Sequence, residues 1–113
     1  MDKLLLTMKD KILNNGIYIS YKQLIVFLNE RKAVLLGYNL HLTKTEHVIL
    51  KILIQEVQKP LSPELIIEKS CLDLNKENVV FHISSINRKA KIISNRILIK
   101  NFSKNGYFLN EEM

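Results

Sequence analysis

Asn78, Phe81, Ser84, Ser85 and Arg88 fall within residues 76–93, KENVVFHISSINRKAKII, at spacings that place them on one face of a helix. With Glu77 they make a surface that is small, hydrogen-bonding and free of bulky aliphatics, flanked by His82 and Lys89 on one shoulder and Asn87 and Lys91 on the other. These are groups that read base edges in a DNA major groove. An Asn amide pairs with adenine, an Arg guanidinium with guanine, a serine hydroxyl with base or phosphate, and an apolar ring with the thymine methyl. A merely solvated helix would carry Glu and Lys there and would not expose a Phe. On the other side, Val79, Ile83, Ile86 and Ala90 form an apolar stripe that must be buried. The expectation is a helix packed on a core by one face and presented to a partner by the other.

Other chemistries find little support. His41, His47 and His82 are the only histidines and Cys71 the only cysteine, with none of the close spacings of a metal site, so no metal is expected. Acids such as Asp10, Glu30, Glu56, Glu68 and Asp73 are scattered singly. Gly occurs three times, without a phosphate-cradling loop, and there is no nucleophile elbow. The chain reads as a non-enzyme without a cofactor. A single cysteine forms no internal disulfide, which fits a reducing cytoplasm. The net charge of +6 and sequence pI near 9.5 favour a polyanionic partner, nucleic acid first and an anionic membrane surface second. Lys3, Lys9 and Lys11 opposite the N-terminal leucines permit the membrane reading weakly. Apolar runs such as 4–6 and 97–99 fall far short of the roughly 20 residues of a membrane span. Met8-Lys9-Asp10-Lys11 interrupts any signal-peptide core, so export is not expected.

The elements that must position the presented helix can be taken in chain order. The 113 residues, 47% hydrophobic and 25% charged, fit one folded domain. Residues 1–16 read as a short amphipathic helix stopped at Asn14-Asn15-Gly16. Segments 17–21, 23–28, 33–36 and 40–42 read as short antiparallel strands, with turns at 29–32 and 37–39. Leu24 to Leu28 is apolar on both faces, so its second face needs a cover, either the first helix or a second copy of the chain. Thr43-Lys44-Thr45-Glu46 is a capping box that starts a largely buried helix, ended by Lys59-Pro60. Ser62-Pro63-Glu64 starts a short helix to about Ser70. Residues 71–75 form a loop, and Asn75 caps the presented helix. Residues 96–109 read as a hairpin turning at Lys104-Asn105-Gly106.

This order, a small sheet, three helices and a closing hairpin, resembles the winged helix-turn-helix DNA-binding domain of OmpR/PhoB-type transcription regulators. The matching residues are Leu42-Thr43 with Glu46, Leu50 and Leu53; Pro60-Leu61-Ser62 with Leu65; His82-Ile83 with Ile86; and Ile99 with Gly106-Tyr107. The closing FSKNGYFL is similar to the wing of the ToxR/CadC-like branch, whose members work without phosphorylation and often continue into a transmembrane helix. The resemblance implies an α+β fold: an extension at 1–16 and a winged-helix domain at 17–113 with a three-helix core and a C-terminal wing. Sixteen residues ahead of it are too few for an attached receiver. It also implies double-stranded DNA as partner, RNA polymerase contact through loop 71–75, and Tyr107 as a wing anchor.

There are departures. Ser84, Ser85 and Asn87 stand where the family usually has arginines, which leans the reading towards A·T-rich sites. The cations have moved to Arg88, Lys89, Lys91, Lys100 and Lys104. The expected DNA-contacting set is therefore Asn78, Phe81, His82, Ser84, Ser85, Asn87, Arg88, Lys89, Lys91, Lys100, Lys104 and Asn105. Homodimerisation through the N-terminal sheet is a further expectation, as one module buries little DNA. The alternative is a winged helix that has kept its fold and binds a protein regulator, which an exposed Phe81 also suits.

Overall fold

The computed structural model describes residues 17–57, 59–102 and 106–112. The N-terminal segment 1–16, expected to be helical, and the hairpin tip 103–105 lie outside them. The chain begins as a four-stranded antiparallel meander: β1 (Tyr18–Tyr21), β2 (Leu24–Phe27), β3 (Ala33–Leu35) and β4 (Tyr38–Asn39). Ile19 pairs with Val26, Tyr21 with Leu24, and Leu24 with Leu35, so period-2 alternation turns Leu24, Val26, Ala33 and Leu35 into the core. On the opposite face Phe27 is also buried, its ring 5.9 Å from that of Tyr18 and 5.2 Å from the Lys32 ammonium. Ile25 and Val34 on that face stay half-buried.

The fourth strand is a correction: the expected turn at 37–39 and strand at 40–42 are displaced. The chain reverses at Leu36-Gly37, both with positive φ (51° and 85°), the conformation of a two-residue hairpin loop, so Tyr38 and Asn39 are the paired residues. Leu36 is not a residue type that advertises a left-handed backbone. Leu40 and Leu42 instead drop into the core as the sheet hands over to the first helix.

Helix α1 (Lys44–Gln55) starts at the capping box, where the Thr43 hydroxyl accepts from the Glu46 N–H at 3.2 Å and the Glu46 carboxylate accepts from the Thr43 N–H at 2.9 Å. It ends earlier than Lys59-Pro60, closing at Gln55 with Glu56 as its cap. Its residues Ile49, Leu50, Ile52, Leu53 and Ile54 are all buried, making it the element that sheet and helices surround. Helix α2 (Pro63–Ser70) has Ser62 as N-cap, Pro63 in its first turn and Cys71 as a left-handed C-cap. Helix α3 (Lys76–Ser94) is capped by Asn75 and buries the expected stripe Val79, Ile83, Ile86 and Ala90. The chain closes with the hairpin β5 (Ile99–Asn101) and β6 (Tyr107–Leu109). All three helices and both sheets share one core.

Candidate nucleic-acid interface

Helix α3 is held from three sides, and each hold engages a side chain that its sequence offers for recognition. At its start the Asn75 side chain accepts from the Asn78 N–H at 2.8 Å, while the Asn78 carbonyl oxygen accepts from the Asn75 N–H at 3.0 Å. Asn78 is exposed, but half of its amide is already part of the cap. Lys76 pairs with Glu64 at 2.7 Å, linking the first turns of α3 and α2 at the surface.

Midway along, Lys89 reaches back to the start of α1. Its ammonium donates to the Glu46 carboxylate at 2.7 Å and to the His41 carbonyl at 2.9 Å. Glu46 is only 3% exposed. Burial pushes its carboxyl up, but hydrogen bonds from Lys89, Ser85 and the Thr43 N–H, with the Lys89 charge, outweigh that and hold it below the usual carboxylate range. One carboxylate thus caps α1 and fastens α3 to it. Ser85, expected on the outward face, is instead buried, 7% exposed.

On the other shoulder, the Asn87 side chain turns towards the hairpin. Its oxygen accepts from the N–H groups of Leu98 and Ile99, at 3.0 and 2.8 Å, and its amide donates to the Ile99 carbonyl at 2.9 Å. All three bonds fix the beginning of β5. The far strand is held separately: Leu61 and Tyr107 exchange both backbone hydrogen bonds at 2.8 Å, tying β6 to the α1–α2 connection. Gly106 permits this approach. Its φ is +106°, and a Cβ there would lie 2.2 Å from the Leu61 carbonyl oxygen. Tyr107 is buried, as an anchor should be.

The outward face of α3 is consequently Glu77, Asn78, Val80, Phe81, Ser84, Arg88, Lys91 and Ile92. Phe81 is 64% exposed, as expected, but the face is not free of bulky aliphatics: Val80 is 46% and Ile92 83% exposed. His82 is half-buried, its ring edge-on to Phe81 with centroids 5.4 Å apart and its buried Nδ1 unpartnered among the described residues. Of the expected set, Phe81, Ser84, Arg88 and Lys91 are exposed on one face of α3, and Lys100 on β5 shares a groove with Ser84. The structure turns Ser85, Asn87 and Lys89 to internal work, and Lys104 and Asn105 lie outside the described residues. Between α3 and the hairpin opens a groove of 680 Å³ whose walls include Val80, Ser84, Ile97, Lys100, Phe102 and Phe108. Val80, Ile97 and Phe102 were not expected there. Their only signal in the sequence is apolar type outside the buried stripe.

No family model and no curated protein matches the sequence. Solved structures do match the backbone. The DNA-binding domain of CpxR from E. coli is 22% identical, with 83% of this chain and 96% of that one covered and a TM-score of 0.68. The DNA-binding domain of E. coli CadC is 18% identical, with 84% and 94% covered and a TM-score of 0.71. The Klebsiella pneumoniae RstA DNA-binding domain, solved in complex with the RstA box, is 18% identical, with 83% and 97% covered and a TM-score of 0.69. The fold is a winged helix. These neighbours are domains of OmpR/PhoB type, in agreement with the resemblance read from the residues. Their scores are too close to favour one branch. In winged-helix terms α3 is the presented helix and β5–β6 the wing. Among the described residues, no helix is long and apolar enough to cross a membrane, and no group of three His, Cys, Asp or Glu could hold a metal.

Proposed function

We propose that this chain binds double-stranded DNA with sequence preference and regulates transcription, with α3 in the major groove and the wing on the adjacent backbone or minor groove. The observation that carries the reading is a face of α3 that the core leaves uncovered, with Arg88 and Lys91 exposed on it and Lys100 lining the groove beside Ser84, on a chain of net charge +6. Solved neighbours that are DNA-binding domains, one of them in complex with the RstA box, support it. In this reading Arg88 contacts phosphate or guanine, Lys91 and Lys100 contact phosphates, and Ser84 bonds base or phosphate. Asn78 and His82 stand at the edge of the footprint, and Lys104 and Asn105 extend the wing. Two copies on adjacent half-sites supply the area that one module lacks. Loop 71–75, with Cys71, Asp73 and Asn75 exposed, faces away towards a neighbour or RNA polymerase. The location that goes with this role is cytoplasmic.

The test is fluorescence anisotropy on A·T-rich and G·C-rich duplexes over a range of salt. The expected result is affinity that falls steeply with salt, with the log-log slope reduced by about 0.9 for each phosphate contact removed in Lys91→Ala and Lys100→Ala. Weak, salt-insensitive association with both duplexes would overturn it. A second reading draws on the exposure of Val80, Phe81 and Ile92: the same face docks on a protein partner. Loss of a protein partner on Phe81→Ala and Arg88→Glu, with DNA behaviour unchanged, would favour it.

A further inference from the structure

The hydrogen-bonding side chains that would let α3 discriminate bases are mostly engaged within the protein. Asn87 has its oxygen and one amide N–H held by Leu98 and Ile99, Lys89 is held by Glu46 and His41, and Ser85 is buried. Asn78 has its oxygen in the capping box, whereas a two-bond contact to adenine needs that oxygen and its NH₂ group together. Beside Glu77 and the cap residue Asn78, the outward surface over the first two turns is then Val80 and Phe81, with Ser84 and Arg88 following on the same face. Apolar groups at the centre of such a face have one counterpart in the major groove of DNA, the C5 methyl of thymine. Resting on the reading of this face as a duplex-binding surface, we propose that it recognises thymine chiefly through that methyl, with Phe81 as the specificity-determining residue and Val80 beside it. Arg88 supplies attraction and register. The A·T preference then arises from apolar contact, not from an amide reading adenine.

Deoxyuridine lacks only the methyl, so alternating d(A-T) and d(A-U) duplexes of equal length isolate the contact. Burial of one methyl corresponds to about a fourfold change in affinity. The full chain is expected to bind d(A-T) at least that much more tightly than d(A-U). In Phe81→Ala the ratio collapses towards one while the salt dependence stays. Phe81 is exposed, so its replacement leaves the core intact, which circular dichroism checks. Arg88→Ala weakens binding to both duplexes and preserves the ratio. Equal, salt-dependent binding of d(A-T) and d(A-U) by the unaltered chain overturns the methyl proposal and leaves DNA binding standing. A preference that survives Phe81→Ala overturns it too, because duplex shape would then be what is read. Absence of salt-dependent binding to any duplex removes the DNA reading itself, and this proposal with it.

Discussion

Arg88 and Lys89 are neighbours in sequence with opposite assignments. The Lys89 ammonium is the partner of a carboxylate that the core almost encloses, while Arg88 stands exposed. Replacing Lys89 with Met leaves Glu46 buried beside Ser85 with its strongest partner gone. That variant is expected to lose about 1–2 kcal/mol in urea unfolding, a figure held low because the Lys89 side chain is itself 30% exposed. Arg88→Ala is expected to leave the unfolding midpoint within about 0.5 kcal/mol of the parent while weakening duplex binding. The reverse pattern would move Lys89 to the outward surface. Helical periodicity alone could not separate the two, because it ranks residues by hydrophobicity around the axis. Lys89 is placed instead by a charge on another helix, more than forty positions away in sequence.

At the scale of elements, what was legible was what local chemistry decides. Thr43 with Glu46, Ser62 before Pro63, and Asn75 before the presented helix each satisfy stranded backbone donors within a few residues, so the starts of all three described helices follow from short strings. The displaced fourth strand was not legible, since Leu36 adopts a left-handed backbone that its side chain does not favour. The wing lies between these cases: Lys104-Asn105-Gly106 signalled a turn, but nothing local disclosed that Leu61 is the backbone that Tyr107 abuts. Gly106→Ala sets a methyl against that carbonyl at a positive φ, with backbone rather than a pliant side chain in the way. Its expected cost is roughly 2 kcal/mol or more, seen as a lowered Tm. A variant as stable as the parent would mean that β6 is not clamped where it is described.

Across the whole molecule, the acid limb of the stability curve should report the junction of sheet and α1. His47 is buried, and its Nε2 donates to the Phe27 carbonyl at 2.8 Å. Burial lowers its pKa, with Lys51 and Arg31 adding to the effect against the favourable pull of that carbonyl. The unfolded chain therefore takes up a proton that the folded one refuses, so stability is complete above the ordinary value of 6.5 and declines as the pH falls below it. Glu46, also depressed, adds a second loss that begins below its ordinary 4.5. His47→Gln keeps a donor for Phe27 but cannot titrate. Its urea midpoint is expected to stay level between pH 7 and about 5, where that of the parent falls. A parent midpoint that stays level over the same interval would contradict a neutral, enclosed imidazole.

The cap, the Glu46 tie and the Asn87 tie divide α3 into positions that build the protein and positions that meet the outside, with little overlap between them. Residues 80, 81, 84, 88 and 91 are exposed and, among the described residues, make no side-chain hydrogen bond or ion pair. A library randomised at those five sites can be screened for altered partners without first being filtered for folding. Substitutions at 78, 85, 87 and 89 couple any gain in recognition to loss of scaffold. Drift in what this helix recognises therefore has a short, separable set of sites through which to run.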